Sequence, residues 1–173
     1  MSTTTRTLVV LRHAKAEPAD GTVDELRPLA LAGRQQASAV GRHLRDTSLI
    51  PELVLVSSAL RTRQTWELAR GALRDVDLEV DVRDELYAAS STTLLDAVRR
   101  VDARVRTVLV VGHEPAVSGL AAHLAGPGSD EGALAQVRVG VPTASMSVLV
   151  GDEPWGEWDR ATARLTGVFR PRA

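Results

Sequence analysis

The stretch LVVLRHAKAEP, from Leu8 to Pro18, decides how the rest of the chain is interpreted, because four apolar residues lead directly into Arg12 and His13. A short apolar run that contains β-branched residues and ends at charge and proline is typical of a strand covered on both faces. The stretch therefore predicts a buried strand with Arg12 and His13 at its carboxyl end, which is where open α/β sheets bind their ligands.

A second apolar run, Thr107 to Val111, repeats this pattern and ends at Gly112 and His113. Around the two runs, the apolar spacing alternates between the periods of strands and helices. It predicts helices over residues 31–45, 60–73, 91–102 and from about 115, and further strands over 53–56, 78–82, 144–150 and 164–169. This alternation favours an α/β fold, and we expect a three-layer αβα sandwich around a mostly parallel sheet.

The chain has the length of one domain, and we expect residues 1–173 to form it. The segments between the predicted elements are polar or rich in glycine. We expect residues 17–28 to be a loop, residues 126–132 to be mobile, and the serines at 57 and 58 to cap the helix that follows. The strand over residues 78–82 alternates apolar with acidic residues, which predicts a position at a sheet edge.

The composition excludes several classes of function. The fractions of 44% hydrophobic and 25% charged residues are those of an ordinary globular protein. The net charge of −1 offers no footprint for nucleic acid or an anionic membrane, and the absence of cysteine removes thiolate chemistry and disulfides. The apolar run at the amino terminus is too short for a signal peptide, and no stretch approaches the ~20 apolar residues that span a bilayer. We expect a cytoplasmic protein.

The chemistry follows from the edge at which parallel strands end. His13, the turn over residues 57–61 and His113 are expected to converge there. The guanidinium groups of Arg12 and Arg61 would then share a crevice, and their geometry matches phosphate oxygens. A neutral imidazole beside a bound phosphoryl group can attack phosphorus and form a covalent intermediate, while a second imidazole binds the oxygens. This chemistry requires no metal, and the sequence contains no metal-ligand motif.

Four segments of the chain resemble the histidine phosphatase superfamily, also called phosphoglycerate mutase-like. LVVLRHAKAEP resembles its Arg-His-Gly/Ala signature. The other three segments are RPLALAGRQQA (residues 27–37), SSALRTRQT (57–65) and VLVVGHEPAVSGLA (108–121), and all four occur in the order of the family. The short chain and the RHAKAE and VGHEP forms are most similar to the small phosphohistidine phosphatases of the SixA type. Ala14 and Ala59 depart from the glycine and proline that many members have at these positions.

The resemblance implies the fold of that superfamily and a phosphatase without a cofactor. By the same resemblance, His13 is the phosphorylated nucleophile, Arg12 and Arg61 hold the phosphoryl group, and His113 completes the pocket. Many members place a proton-donating acid after the third strand, which makes Glu85 the candidate acid here. The small phosphohistidine branch does without a well-defined acid, because a P–N bond to imidazole is labile.

Two further residues are candidates for contact with the phosphate, each against a simpler alternative. Ser57 either caps the following helix or touches the phosphate, and Arg27 either reaches the pocket or caps a loop. Acidic residues of the first loop, Glu17, Asp20 and Asp24, could replace Glu85, although a solvated loop explains them more simply.

Three functions fit these observations. The first is a phosphatase acting on phosphohistidine in a protein, the second a phosphatase for small phosphate esters, and the third a catalytically silent phosphate-binding module. The expected partner is therefore a phosphorylated protein or a small phosphorylated substrate, and neither nucleic acid nor a membrane. The presence of two histidines as well as two arginines disfavours the third function, because binding alone needs no nucleophile.

Overall fold

The computed structural model describes residues 4–173, and within them six strands form one sheet. The strands are β1 (Arg6–Arg12), β2 (Leu53–Ser57), β3 (Glu79–Arg83), β4 (Thr107–Gly112), β5 (Met146–Gly151) and β6 (Arg164–Phe169). Their order across the sheet is β3-β2-β4-β1-β5-β6. The first four strands are parallel to one another, and β5 is antiparallel to both β1 and β6. The predicted mostly parallel sheet is confirmed, with β3 at an edge as expected.

Helices cover both faces of the sheet and complete the three layers. They are α1 (Leu31–Asp46), α2 (Leu60–Arg70), α3 (Ser91–Arg99), α4 (Ala116–Leu124) and α5 (Glu131–Val139). Helices α1 and α2 share one hydrophobic cluster with the sheet, and α3, α4 and α5 share the cluster on the opposite face. No helix within residues 4–173 is long and apolar enough to cross a membrane. Residues 1–3, which belong to the segment considered for a signal peptide, lie outside the described residues.

Strand β1 is apolar without interruption because both of its faces are covered. Leu8 and Val10 point toward the α3–α5 layer, whereas Val9 and Leu11 point toward α1 and α2. All four side chains are at most 1% exposed. Burying a side chain of this size contributes about 1.5–3 kcal/mol, so the strand that leads into His13 is firmly anchored.

Helix α5 has no counterpart among the predicted elements. It begins after Asp130, whose side chain accepts a hydrogen bond from the backbone N–H of Ala133. The glycine-rich segment before it, expected to be mobile, is held by a backbone hydrogen bond from Gly126 to Ala163, just before β6, and by one from Asp130 to Leu165 of β6. A Cβ atom on Gly126 would lie 2.1 Å from the carbonyl oxygen of Ala161. Glycine here therefore permits a close backbone approach.

Candidate active site

The two strands that end in histidine are neighbours in the sheet. Strands β1 and β4 are paired so that Arg12 stands opposite Gly112, and His13 and His113 therefore follow at the same edge. The two imidazole centroids are 5.3 Å apart. The backbone N–H of His13 also donates to the carbonyl oxygen of Gly112 at 3.0 Å. The structure thus brings together the two histidines that the sequence places far apart.

One backbone contact fixes the orientation of the His13 ring. Its Nδ1 atom lies 2.7 Å from the carbonyl oxygen of Ala14. A carbonyl can only accept, so Nδ1 carries the proton and Nε2 keeps its lone pair. The loop after His13 is held in turn, because Ala14 donates its backbone N–H to Thr65 and because Gly33 packs against the backbone of Lys15. A Cβ atom on Gly33 would stand 1.9 Å from the Lys15 carbonyl oxygen.

Burial and charge keep the His13 ring neutral. The residue is 8% exposed, and desolvation together with the nearby cations Arg61, Arg12 and Arg27 lowers its pKa to about 4. The hydrogen bond to Ala14 opposes this shift but does not outweigh it. At neutral pH the Nε2 atom of the ring is therefore unprotonated.

His113 is engaged through the other ring nitrogen. Its Nε2 atom lies 2.7 Å from the hydroxyl oxygen of Ser57, and its Nδ1 atom is buried with no hydrogen-bond partner among the described residues. Burial and the charge of Arg61 lower the pKa of His113 to about 3. The helix-capping role expected for Ser57 and Ser58 is wrong, because Ala59 is the N-cap residue of α2 and no side-chain hydrogen bond caps this helix.

Arg12 and Arg61 both lie at this edge. Arg61 is only 6% exposed, and its two terminal nitrogens donate to the backbone oxygen and the carboxylate of Asp24 at 2.9 and 3.1 Å. Arg12 donates to the carbonyl oxygen of Val141 at 2.8 Å. The Nε atoms of both arginines are buried without a partner among the described residues. A buried N–H left unpaired costs about 1–3 kcal/mol, so a bound group rich in acceptors is favoured here.

The structure also places the remaining candidates. Arg27 serves as a loop cap, donating to the carbonyl oxygen of Glu17 at 2.8 Å, and it contacts Asp24 at 2.9 Å as well. Its charge contributes to the lowered pKa of His13. The carboxylate of Glu85 lies 3.0 Å from a terminal nitrogen of Arg100 and 3.4 Å from one of Arg83. Its hydrogen bonds thus go to these two arginines and not to the histidine pair.

Two residues of this cluster do not follow from the sequence pattern. The sequence offers Asp24 as an alternative acid or, more simply, as a solvated loop residue. The structure places it on a short 3-10 turn, Asp24–Leu26, in contact with Arg61. Tyr87 donates its hydroxyl proton to the Asp24 carboxylate at 2.6 Å, and its ring packs edge-on against His113 with centroids 5.9 Å apart. The one available signal for Tyr87 was its position just after the end of β3.

The cluster as a whole combines a free imidazole nitrogen, a second neutral imidazole and arginine side chains. Such a set can bind a phosphoryl group and present a nucleophile to it. Over residues 4–173 no three histidine, aspartate or glutamate side chains are grouped so that they could hold a metal ion. The fold and the cluster fit the class of phosphoryl-transfer enzymes.

Comparison with known proteins leads to the same class. Residues 8–90 match the model of the histidine phosphatase superfamily, branch 1. A phosphohistidine phosphatase, SixA of Escherichia coli, is 31% identical over 117 residues, which are 66% of this chain and 71% of that protein. The chain belongs to the histidine phosphatase superfamily, and this membership implies a phosphatase.

Other relatives match over nearly the whole chain. An uncharacterised protein of Mycobacterium tuberculosis is 36% identical over 163 residues, covering 94% of this chain and 100% of the relative. A structure from Nakamurella multipartitia, provisionally named phosphohistidine phosphatase SixA, has 35% identity and a TM-score of 0.83, with 98% of each chain covered. A mycobacterial glucosyl-3-phosphoglycerate phosphatase shares the fold at 20% identity and a TM-score of 0.63, covering 97% of this chain and 100% of that one. The fold therefore occurs with different substrates.

Proposed function

We propose that this protein is a phosphatase that works through a covalent phosphohistidine at His13, and that its substrate is phosphohistidine in a protein. The observation that carries the proposal is the hydrogen bond from His13 Nδ1 to the Ala14 carbonyl oxygen, because it leaves the Nε2 lone pair free at neutral pH. A neutral imidazole with a fixed lone pair is the form of histidine that attacks phosphorus.

In the proposed first step, Nε2 of His13 bonds to phosphorus as the bond from phosphorus to the leaving group breaks. Arg12 and Arg61 hold the phosphoryl oxygens, and Arg61 exchanges its contact with Asp24 for this one. His113 donates from Nδ1 to a phosphoryl oxygen, provided that the Ser57 hydroxyl donates to Nε2. A bound phosphoryl group favours the His113 tautomer with the proton on Nδ1. In the other tautomer, the Nδ1 lone pair would point at the phosphoryl oxygens.

In the proposed second step, water attacks the phosphorus of phosphorylated His13. The Nε2–phosphorus bond breaks, its electron pair returns to the ring, and a proton of the water passes to phosphate or solvent. The Ala14 carbonyl holds the Nδ1 proton throughout, so the ring leaves as neutral imidazole. Metal independence is part of the proposal, since each of these roles is filled by a side chain of the protein.

The surroundings of the pocket support a protein substrate. Val23 and Leu26 flank Asp24 on and beside the 3-10 turn, and they are 65% and 59% exposed. Apolar side chains exposed beside a charged site are typical of a surface that another protein contacts. The similarity to proteins named phosphohistidine phosphatase points in the same direction.

A phosphatase for small phosphate esters is the alternative, and it would require a proton donor for an alkoxide leaving group. Glu85 remains the candidate donor from the sequence, although its carboxylate contacts Arg83 and Arg100. The variant Glu85→Gln decides the point with two substrates. A loss confined to an alkyl phosphate supports Glu85 as the acid, whereas equal effects on that ester and on a phosphoramidate reject it.

A competition assay tests the proposed function directly. The purified protein is offered histidine-phosphorylated proteins and a panel of phosphomonoesters, and kcat/KM is measured for each. We expect phosphohistidine to be preferred and a chelator to leave turnover unchanged. Preference for an ester would contradict the substrate proposal, and recovery of chelator-abolished turnover by a divalent ion would contradict metal independence. Binding of phosphate without any turnover would support the silent binding module.

A further inference from the structure

An aspartate lies within the network that surrounds the phosphoryl site. One carboxylate oxygen of Asp24 is 3.1 Å from a terminal nitrogen of Arg61 and 2.6 Å from the hydroxyl of Tyr87, and the other is 2.9 Å from Nε of Arg27. Only the guanidinium of Arg61 therefore separates this carboxylate from the phosphoryl group that Arg61 is proposed to bind.

Asp24 also lies on the solvent side of the histidine pair. Its side chain is 48% exposed, whereas His13 is 8% exposed. Tyr87 links the exposed carboxylate to the buried histidine pair, because its hydroxyl donates to Asp24 while its ring packs against His113. In an in-line displacement the leaving group departs on the side away from His13, and the greater exposure of Asp24 makes its carboxylate a candidate to meet that group.

The neighbours of Asp24 stabilise its negative charge. Hydrogen bonds from Tyr87 and Arg27 and the charge of Arg61 lower its pKa to about 2, so the carboxylate is ionised at neutral pH. An ionised carboxylate cannot donate a proton to an ester oxygen, and it repels a phosphate dianion. A leaving group that carries a positive charge and an N–H, however, gains from the same carboxylate.

We propose that Asp24 is a specificity-determining residue that accepts a hydrogen bond from the ring N–H of a protonated phosphohistidine substrate, and so favours P–N over P–O substrates. The inference rests on the proposed function and adds to it the recognition of the leaving group.

The step balances without a proton donor from the protein. The second ring nitrogen of a phosphorylated imidazole titrates near neutral pH, and its proton is retained when phosphorus departs. As Nε2 of His13 bonds to phosphorus, the substrate P–N bond breaks and its electron pair stays on the leaving ring, which becomes neutral imidazole. Asp24 would then hold the distal N–H of the substrate, as the Ala14 carbonyl holds Nδ1–H of His13. The phosphoryl group thus passes between two imidazole rings, each of which carries a proton on the ring nitrogen that is not bonded to phosphorus.

The variant Asp24→Asn tests this inference, because it removes the charge while keeping the shape. The readout is the ratio of kcat/KM for a phosphohistidine peptide to kcat/KM for p-nitrophenyl phosphate, whose leaving group needs no proton. We expect the ratio to fall about ten- to hundredfold, which is the worth of a charged hydrogen bond. Asp24→Glu, which restores the carboxylate, is expected to recover part of the ratio.

A matched control removes a comparable carboxylate elsewhere. Asp102 is an exposed partner of Arg104, and it lies in the loop before β4, at the opposite end of that strand from His113. Arg104 lowers its pKa to about 2, as the pocket residues do for Asp24. Asp102→Asn is expected to leave both substrates and their ratio unchanged.

A pH profile separates this role from a merely structural one. For the phosphohistidine peptide, the alkaline limb of kcat reports loss of the ring proton in the bound substrate. We expect this limb to move to lower pH in Asp24→Asn, because the carboxylate no longer stabilises the protonated ring. The groups that face the carboxylate are Arg27, Arg61 and Tyr87. The hydrogen bond to Asp24 raises the pKa of Tyr87 above its ordinary value of 10.0.

The outcomes distinguish this inference from the proposed function. Equal losses on both substrates in Asp24→Asn would show that Asp24 only positions Arg61, and would overturn the inference while leaving the phosphatase intact. Unchanged kcat/KM values on both substrates would likewise overturn the inference. A wild-type protein that hydrolyses esters but not phosphohistidine would overturn the proposed function itself, and the inference with it.

Discussion

The two histidines of the site end adjacent parallel strands after closely similar apolar runs, yet opposite nitrogens of their rings are engaged. His13 uses Nδ1 to contact a backbone carbonyl, whereas His113 uses Nε2 to contact the Ser57 hydroxyl. Both rings are kept neutral by burial and by arginines. The difference teaches that the hydrogen-bond partner of each ring, and not the preceding strand, decides which ring nitrogen is engaged.

The largest loss of activity is expected from His13→Ala. If His13 is the nucleophile, its removal lowers kcat at least about ten-thousandfold, because no covalent intermediate can form. Rapid quenching with labelled substrate should trap an acid-labile, alkali-stable phosphoenzyme in the wild type and none in the variant. His123→Ala, whose ring pairs with Asp159 at the surface, is the matched control. Substantial turnover in His13→Ala would contradict the assignment.

His113→Ala is expected to have a smaller effect of a different kind. Loss of one donor to the transferring phosphoryl group lowers kcat by about 100- to 1000-fold. The phosphoenzyme should still form on His13, more slowly, and single-turnover labelling detects it. If labelling disappears entirely in this variant, the two histidines do not have the distinct roles that their contacts suggest.

Ser57→Ala sharpens the comparison further. Without the hydroxyl, His113 is free to place its proton on either nitrogen, and we expect kcat/KM to fall about tenfold. The neighbouring Ser58 is the control, because Ser58→Ala leaves the contact to His113 in place. A wild-type rate in Ser57→Ala would mean that the hydroxyl does not set the tautomer.

The smallest effect concerns pH. The pKa of about 4 for His13 lies below the ordinary value of 6.5, so the neutral ring persists well into the acid range. After correction for ionisation of the substrate, kcat/KM should stay nearly constant from pH 8 to about pH 5. An acid limb near pH 6.5 would show that the ring is not shielded as its burial indicates.

The same lowered pKa values have a consequence for stability. Between about pH 4 and the ordinary value of 6.5, the unfolded chain binds protons at His13 and His113 that the folded protein does not. The free energy of unfolding therefore rises with pH through this window. The contribution of the two neutral histidines is fully present above about pH 6.5 and is lost as the pH falls. Thermal unfolding at pH 7 and pH 4.5 measures the loss, which should be smaller in His113→Ala.

Much of the architecture could be predicted from the sequence, because local patterns reflect burial. Uninterrupted apolar runs indicated the two central strands, and alternation of apolar with acidic residues placed β3 at an edge. Helix α5 was not predicted, because its short apolar face resembles a loop until it packs beside α4 and β6.

The sequence by itself determined that His13, His113, Arg12 and Arg61 occur in the order of the superfamily, and a parallel sheet then brings them to one edge. Only the tertiary structure decided which ring nitrogen each histidine offers, because a carbonyl and a hydroxyl reach them from different segments of the chain. Folding likewise brought Asp24 to Arg61 from a polar loop. A local pattern records burial and periodicity, whereas hydrogen-bond partners distant in sequence meet only when the strands and helices have packed.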